Sequence, residues 1–220
     1  MLEIENLGNL DLKVYQDDKL YRFTSDAILL SRFATVKKGD VVADFCSGSG
    51  IVGFNLYGLN PEIKSITFFE MQTPLFDLSV KSIALNGLED RFTAENIRVQ
   101  DIPVKYNGKF SLIVCNPPYM EVGKGFKDVN EHIALCRTET ALALSELIRA
   151  AAKSLKFGGR FSLVHRADRL IDIIYEMRKN NIEPKKLQFV SGQNKPPYLL
   201  LIEGVKGGKS GLRVLSTVIN

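Results

Sequence analysis

Apolar positions follow two alternating patterns along most of the chain. From residue 40 onward, short runs rich in β-branched and aromatic residues alternate with longer segments in which apolar residues recur three or four positions apart. This alternation is typical of strands and crossover helices in a parallel sheet. Seven strands are predicted, at residues 41–46, 65–70, 96–100, 110–115, 160–165, 186–191 and 198–205, with helices at residues 51–59, 73–86, 138–156 and 168–180.

The two ends of the chain modify this pattern. Only residues 192–197 separate the last two strands, so these strands are predicted to form a hairpin, which adds one antiparallel strand. Residues 25–34 are predicted to form a short helix with Ser25 as its N-cap, preceded by a small hairpin. The predicted fold is α/β: a Rossmann-like, seven-stranded, mostly parallel sheet with helices on both faces. It forms a single domain of residues 1–220, with an amino-terminal cap (1–39) and a core (40–220).

The composition is that of a soluble globular chain, with 45% hydrophobic and 25% charged residues among 220. No segment approaches the roughly 18 apolar residues of a membrane span, and the acidic amino terminus is unlike a secretion signal. We therefore expect a cytoplasmic protein that does not bind a membrane. Three cysteines without C-x-x-C spacing and only two histidines predict neither a disulfide framework nor a metal site.

The net charge of +4 is unevenly distributed. Residues 1–152 carry 16 Lys and Arg against 20 Asp and Glu, a net charge of −4, whereas residues 153–220 carry 13 against 5, a net charge of +8. A basic carboxy-terminal third indicates a polyanionic partner, although a solvated lysine-rich surface explains the charge equally well.

The first segment with candidate chemistry is Val-Val-Ala-Asp-Phe-Cys-Ser-Gly-Ser-Gly at residues 41–50. A buried strand runs here into small residues, which let the backbone turn tightly and approach a ligand closely. Asp44 is badly placed beside a pyrophosphate but suits a ligand with an ammonium group. A plain connection from strand to helix is the alternative interpretation.

Two more acids follow the next two predicted strands. Glu70 ends one strand, where a carboxylate commonly accepts hydrogen bonds from both hydroxyls of a ribose. Asp101 lies just past the other strand, where it is placed to accept from an adenine amino group. Solvent exposure explains each acid alone, but together with Asp44 they predict a nucleoside-like ligand at one edge of the sheet.

Residues 116–119, Asn-Pro-Pro-Tyr, directly follow the strand predicted at 110–115. Two successive prolines lack backbone donors and fix the backbone, so the strand cannot continue its ladder. The motif predicts a rigid loop that presents an amide and an aromatic ring. A rigid turn with a packed tyrosine is the alternative.

Together these motifs resemble the class I S-adenosylmethionine-dependent methyltransferases that act on planar nitrogens. That resemblance covers roughly residues 40–205. Over almost the whole chain, further features resemble the narrower family of tRNA adenine-N6 methyltransferases, which modify adenine 37 beside the anticodon of a valine tRNA. These features are residues 21–30, 70–72, Asn86, 158–161, 164–166 and 201–208.

Two positions depart from the family pattern. Cys46 stands where the turn usually has its first glycine, and Thr138 stands where a histidine is expected. Cys46 is small enough for the turn but changes the surroundings of the methionine end of the cofactor. Thr138 leaves any substrate role of its segment in question.

The resemblance implies S-adenosylmethionine as the cofactor, with Asp44 near its methionine end, Glu70 on its ribose and Asp101 on its adenine. By analogy, residues 24–26 close over the methionine moiety, although the last two equally suit a helix cap. The implied cofactor-binding residues are Thr24, Ser25, Asp26, Asp44, Cys46, Ser47, Gly48, Ser49, Gly50, Glu70, Met71, Gln72, Asp101, Ile102 and Asn116.

The resemblance also implies a mechanism without a metal or a strong base. An exocyclic adenine amine is conjugated with its ring and is therefore a poor nucleophile. The Asn116 side-chain oxygen and the Pro117 carbonyl would accept its two hydrogens, so that its lone pair faces the methyl group. Tyr119 would stack on the base, which leaves the implied catalytic residues as Asn116, Pro117, Pro118 and Tyr119.

The basic third supplies candidate phosphate contacts, which position an RNA without reading its sequence. The expected assembly is a monomer that binds tRNA. Candidate RNA-binding residues are Arg166, Lys195, Lys206, Lys209 and Arg213, together with Arg169, Lys185 and Lys186.

The sequence leaves other substrates open. The same Asn-Pro-Pro-Tyr motif serves methyltransferases that act on rRNA bases, on adenine in DNA or on protein glutamine. The glutamine-directed enzymes usually have a larger amino-terminal domain, and the DNA enzymes usually add a recognition domain for which 220 residues leave no room. A non-catalytic RNA scaffold that binds the cofactor is the alternative from another class.

Overall fold

The computed structural model describes residues 2–8, 11–18, 20, 25–118 and 142–220. Its helices are α1 (Ser25–Phe33), α2 (Ile51–Leu59), α3 (Thr73–Leu85), α4 (Leu144–Ser154) and α5 (Leu170–Lys179). Its strands are β1 (Leu2–Asn6), β2 (Lys13–Asp17), β3 (Val41–Phe45), β4 (Ser65–Glu70), β5 (Phe92–Asn96), β6 (Phe110–Cys115), β7 (Leu155–Arg166), β8 (Ile182–Ser191), β9 (Pro197–Lys206), β10 (Arg213–Val214) and β11 (Val218–Ile219).

The main sheet has the strand order β10-β8-β9-β7-β6-β3-β4-β5, with β11 also paired to β8. Strands β3 to β7 pair in parallel, whereas β9 is antiparallel to both β7 and β8. The mostly parallel sheet, its single antiparallel strand and the final hairpin are therefore confirmed. Two short strands that the sequence pattern does not predict, β10 and β11, enlarge the sheet from seven strands to nine.

The predicted strand at residues 96–100 is wrong. The strand in this region is β5, which ends at Asn96, and the chain continues into a 3₁₀ turn at Val99–Asp101. The helix predicted at 138–156 is α4, which begins at Leu144, while residues 138–141 lie outside the described residues. The other helices agree with the prediction to within a few residues at each end.

Helices cover both faces of the sheet, as predicted. One core contains apolar residues of α1 and α2, including Leu30 and Phe54, packed on β3 and β4. The other core contains the apolar stripe of α4 and residues of α5, including Ile148 and Met177. The sheet is therefore buried on both sides, and ligands reach it from its edges.

The amino-terminal hairpin of β1 and β2 is present, as predicted, and packs against α3. The Tyr15 backbone N–H donates to the Ser82 hydroxyl at 2.9 Å. The Asn86 side chain accepts from the Lys13 N–H at 2.9 Å and donates to the Lys13 carbonyl at 2.7 Å. These bonds attach the hairpin to the carboxyl-terminal end of α3.

The main sheet has two edges at which its strands begin and end. We call the edge where the parallel strands β3 to β7 end the carboxyl edge, and the opposite edge the amino edge. Because β9 runs the other way, Leu199 pairs with Arg166 near the carboxyl edge and Val205 pairs with Arg160 near the amino edge. The connection from β8 to β9 therefore lies at the carboxyl edge, and Lys206 lies at the amino edge.

Within the described ranges, the model contains no helix that combines the length and the apolar character needed to cross a membrane.

Candidate active site

The turn that follows β3, residues 46–50, has a backbone that few residue types adopt easily. Cys46, Gly48 and Gly50 all have positive φ angles, of 55°, 56° and 90°. A Cβ at Gly50 would also lie 3.0 to 3.2 Å from the Phe54 and Phe68 rings, so the third of these positions needs glycine. Cys46 thus occupies, at a position that favours glycine, the same left-handed conformation as its glycine neighbours.

Glu70, at the carboxyl edge of β4, holds this turn in place. One carboxylate oxygen, Oε2, accepts from the Gly48 N–H at 2.8 Å, and the other, Oε1, accepts from the Gln72 N–H at 2.9 Å. Burial raises the pKa of Glu70, while these backbone donors oppose the rise. Each oxygen keeps a second acceptor site, which is compatible with the predicted bonds to a ribose.

Asp44 is fully buried in β3, beneath the turn. Its Oδ2 atom accepts from the Gly53 N–H at 2.9 Å, but its Oδ1 atom has no hydrogen-bond partner among the described residues. Burial raises the pKa of Asp44 to about 8, the Glu70 carboxylate adds to the rise, and the Gly53 hydrogen bond opposes it. A cationic ligand beside Oδ1 would supply the missing donor and favour the charged form.

The turn and Glu70 line a cleft at the carboxyl edge of the sheet. Several predicted cofactor residues line this cleft, whereas Asp44 and Gly50 lie behind its surface. The predicted residues that line it are Cys46, Ser47, Gly48, Ser49, Glu70, Met71, Gln72 and Asn116.

Much of the remaining lining is apolar and includes residues that the sequence pattern did not identify. Leu75, Ile97, Val99 and Leu142 contribute to it, and Gln100 adds an amide. This apolar slot, formed by apolar side chains with one amide beside them, suits a heteroaromatic ring. Ile97 and Val99 were assigned to a strand because they are apolar. In the structure they follow β5, and their side chains line the cleft.

Asp101 does not line the cleft, although Gln100 beside it does. Its side chain is exposed and accepts from the Arg98 Nε at 2.7 Å. This hydrogen bond lowers the pKa of Asp101. Ile102, another predicted cofactor residue, faces a smaller adjoining pocket rather than the cleft.

The motif at residues 116–118 reaches the same cleft from β6. Cys115 at the end of β6 pairs with Phe45 at the end of β3, so Asn116 follows next to the turn. Asn116 and Pro118 both line the cleft. Tyr119, the last residue of the motif, lies outside the described residues, as do Thr24 and Thr138.

Ser25 and Asp26, which were predicted to close over the methionine moiety, begin α1 and do not line the cleft. The Ser25 hydroxyl accepts from the Asn220 side chain at 2.9 Å, and the same Asn220 amide donates to the Tyr198 hydroxyl at 3.0 Å. Asp26 is buried within α1.

The candidate RNA-binding residues divide between the two edges. Arg166, at the end of β7, and Lys195, in the connection from β8 to β9, lie at the carboxyl edge with Asn116. Lys206 lies at the amino edge, where its ammonium donates to the Ala152 and Leu155 carbonyls at 2.6 and 2.8 Å. Lys209 follows it at that edge, and Arg213 is exposed in β10.

His165, part of the segment 164–166 that carries the family resemblance, lies at the carboxyl edge. It is buried in β7, and its Nδ1 atom accepts from the Arg166 N–H at 2.9 Å. Burial, together with the neighbouring Arg169 and Arg166, lowers the pKa of His165 to about 4. His165 is therefore neutral at neutral pH.

The described residues fit S-adenosylmethionine. Asp44 Oδ1 and the Ser47 hydroxyl are buried atoms without partners among those residues, and they match the ammonium and carboxylate of a methionine moiety. Glu70 and the apolar slot match a ribose and an adenine. When bound, this cofactor supplies a methyl group on a positively charged sulfur.

Comparison with known proteins agrees with this geometry. The chain is 29% identical over 154 residues to the tRNA1(Val) (adenine(37)-N6)-methyltransferase of Flavobacteriaceae bacterium (strain 3519-10), covering 69% of this chain and 62% of that protein. It is 26% identical over 194 residues to the protein of the same name from Parabacteroides distasonis, covering 86% and 79%. A match to ribosomal RNA small subunit methyltransferase C of an Enterobacter species is 29% identical but spans only 38% of that protein.

Solved structures show the same fold. A predicted O-methyltransferase from Agrobacterium tumefaciens superposes with a TM-score of 0.70 at 18% identity, covering 88% of this chain and 86% of that one. The tRNA m1G37 methyltransferase of M. jannaschii superposes with a TM-score of 0.64 at 18% identity, covering 94% and 55%.

The family model described as the methyltransferase small domain matches residues 14–180, which is well over half of the chain. The predicted fold class and the predicted cofactor are confirmed. This protein therefore belongs to the methyltransferase small domain family.

Proposed function

We propose that this protein transfers the methyl group of S-adenosylmethionine to the N6 nitrogen of an adenine in RNA, and that its substrate is adenine 37 of a valine tRNA. The observation that carries this proposal is that Asn116 and Pro118 line the same cleft as Glu70 and the turn at 46–50. An amide that meets the cofactor cleft is what methylation of a planar nitrogen needs. The names of the two tRNA-modifying relatives support the choice of substrate.

In the proposed reaction, Asn116 and Pro117 orient the adenine amine. The Asn116 side-chain oxygen and the Pro117 carbonyl accept the two amine hydrogens, which turns the nitrogen lone pair towards the methyl group. Pro117 and Pro118 have no backbone N–H and a fixed φ, so the acceptors stay in place during the reaction. Most of the remaining rate enhancement comes from holding the two reactants in line.

The carboxyl edge of β7 to β9 supports the RNA in this proposal. Arg166, Lys195 and the 45% exposed Tyr198 lie at the same edge as Asn116. Cationic side chains at this edge can reach phosphates of an anticodon stem whose flipped adenine enters the cleft. Lys206 and Lys209 lie at the amino edge, opposite to the edge where Asn116 lies, and are therefore not expected to make this contact.

Incubation with RNA from a strain that lacks this protein tests the proposal. The tRNA and rRNA fractions are treated separately with the wild-type protein and methyl-labelled cofactor, and the nucleosides are identified by mass spectrometry. The proposal predicts N6-methyladenosine in the tRNA fraction, at position 37 of a valine tRNA. Label in rRNA alone, or in another nucleoside, would contradict it.

Asn116→Ala tests the proposed role of the amide. Loss of one preorganised hydrogen-bonding group at a reacting centre costs about 100- to 1,000-fold in turnover, whereas affinity for S-adenosylhomocysteine should change little. Turnover within a few-fold of the wild type would remove Asn116 from the mechanism.

A further inference from the structure

The amino-terminal hairpin places one buried amide beside the turn at 46–50. Gln16, in β2, is 1% exposed, and its Nε2 atom donates to the Ser49 hydroxyl at 2.6 Å. Ser49 itself lines the cofactor cleft. Gln16 thus lies one hydrogen bond away from the cleft, although it is 33 positions from Ser49 in the sequence.

The other end of this amide has no partner. Among the described residues, the Gln16 Oε1 atom is buried and accepts no hydrogen bond. Leaving such an acceptor unsatisfied costs about 1 to 3 kcal/mol. A buried amide oxygen in a folded protein is therefore expected to meet a donor, and the described residues supply none.

Two more unpartnered buried atoms lie in the same place. Asp44 Oδ1 and the Ser47 hydroxyl belong to β3 and the turn, and both lack partners in the described part of the chain. Gln16 bonds to Ser49, and Asp44 bonds to the Gly53 N–H, four residues later at the start of α2. Each of these two side chains thus bonds to residues 49–53 through one polar atom and leaves its other oxygen without a partner.

The chemistry of this pair of acceptors specifies the group that they would bind. An ammonium carries three N–H donors and a positive charge, so it can satisfy an amide oxygen and a carboxylate oxygen at once. A hydroxyl or a neutral amine also donates hydrogen bonds, but only a cation also favours the ionised form of Asp44, which burial opposes. The cofactor of this family contains one ammonium, at its methionine end.

We propose that Gln16 is a binding residue for the methionine end of S-adenosylmethionine, and that its Oε1 atom accepts from the cofactor ammonium together with Asp44 Oδ1. This inference rests on the proposed function, because it requires the cleft to hold that cofactor. The β1–β2 hairpin then forms part of the cofactor site. It covers the methionine end in the way that the sequence assigned to residues 24–26.

Truncation of the ligand separates a direct contact from a structural role. S-adenosylhomocysteine and 5′-methylthioadenosine share the adenosine and a thioether sulfur, but only the first has the ammonium and carboxylate. Gln16→Met keeps the length of the side chain and removes both its acceptor and its donor to the Ser49 hydroxyl. By calorimetry, this variant should bind S-adenosylhomocysteine about 10- to 100-fold more weakly, with affinity for 5′-methylthioadenosine unchanged.

Two further variants complete the experiment. Gln16→Glu keeps an acceptor oxygen at this position and should retain S-adenosylhomocysteine affinity within a few-fold. Asn86→Ala loosens the attachment of the hairpin to α3 at Lys13 without touching the Gln16 amide. It should change the affinities for both ligands by the same small factor.

Three results would overturn the inference. Equal weakening of both ligands by Gln16→Met would show that Gln16 only supports the fold, and unchanged affinity for both would show that its oxygen meets water rather than cofactor. In either case a wild-type protein that still methylates RNA leaves the proposed function standing. A wild-type protein that binds neither ligand would instead contradict the proposed function and this inference together.

Discussion

Two aspartates at the two ends of β3 are equally hidden from solvent but have opposite surroundings. Asp40, at the amino edge, is 5% exposed and Asp44, towards the carboxyl edge, is 0% exposed. Asp40 accepts from the Arg160 guanidinium, from the Ser111 hydroxyl at 2.7 Å and from the Lys37 N–H at 2.7 Å. Within the described residues, Asp44 has one backbone donor and one oxygen without any partner.

Asp40 therefore stabilises the fold at the amino edge, whereas Asp44, towards the carboxyl edge, has an oxygen that a ligand can satisfy. A second buried acid, Glu203, lies level with Asp44 in the sheet but three strands away, and it too is satisfied, by the Ser162 hydroxyl and the Thr35 N–H at 2.7 Å. Lys186 approaches the same carboxylate at 3.6 Å. Burial alone therefore does not indicate a functional acid in this protein, and Asp44 differs from Asp40 and Glu203 in having an unpartnered oxygen beneath the turn that lines the cleft.

The largest expected effect comes from removing the cationic partner of Asp40 at the amino edge. Arg160→Met removes the cation from the buried Asp40 and leaves that charge uncompensated, which typically costs about 3 to 5 kcal/mol. Urea denaturation should show this loss in the free energy of unfolding. The affinity of the folded variant for S-adenosylhomocysteine should match that of the wild type. A loss below about 1 kcal/mol would mean that the amino edge does not carry the stability assigned to it.

The contribution of Asp44 to the free energy of unfolding should change with pH in the opposite sense to that of an ordinary acid. The Asp44 pKa rises from its usual 3.8 to about 8, so the folded protein keeps a proton that the unfolded chain loses. The stability contribution of Asp44 therefore falls as the pH rises from about 4 to 8. The slope is about 1.4 kcal/mol per pH unit at most.

Asp44→Asn isolates this contribution from those of the other carboxylates. The difference in unfolding free energy between the variant and the wild type should grow in favour of the variant by about 2 to 3 kcal/mol from pH 5 to pH 7. Urea titrations at both pH values measure it. A difference that stays constant with pH would show that Asp44 is ionised in the free protein.

Lys206, at the amino edge, was predicted from the sequence to bind RNA. In the structure its ammonium donates to backbone carbonyls at the end of α4 instead. Lys206→Met should lower the free energy of unfolding by about 1 to 2 kcal/mol, since it removes a cation from the last carbonyls of that helix. Filter binding should show tRNA affinity unchanged. Weaker tRNA binding without a loss of stability would restore the original assignment.

The smallest expected effect concerns two exposed lysines, one at each edge. Lys195→Glu at the carboxyl edge should weaken tRNA binding by about 3- to 10-fold at moderate salt, and the salt dependence should become shallower. Lys209→Glu at the amino edge makes the same change of charge and should leave binding unaltered. Equal effects of the two variants would mean that the RNA does not distinguish the edges.

The sequence predicted most accurately the strands whose residues are nearly all apolar and buried. The strands at 65–70 and 110–115 are almost entirely buried and were placed to the residue, because their apolar runs are nearly continuous. The edge strand β5 reads Phe-Thr-Ala-Glu-Asn with only Phe92 buried, so its pattern is weak. The predicted strand was placed instead on residues 96–100, which include the apolar Ile97 and Val99. In the structure these two side chains line the cleft.

Parts of the candidate site depend on distances that no local pattern contains. Gln16 meets Ser49 only because the hairpin packs on α3, and Lys206 reaches the amino edge only because β9 reverses direction. The turn at 46–50, Glu70 and Asn116 were identified because each lies at the end of a buried strand. Residues that reach a site from a strand end are therefore predictable, whereas residues brought there by tertiary packing are not.

The number of protons released when the cofactor site is filled tests the assignment of Asp44 as the ammonium acceptor. At pH 6.5 Asp44 is protonated in the free protein, and the amino group of S-adenosylhomocysteine is already mostly an ammonium. Calorimetric titration with this ligand in two buffers of different ionisation enthalpy gives the proton count. If Asp44 receives the ammonium, binding should release close to one proton. Binding without proton release would contradict the role assigned to Asp44 at the carboxyl edge.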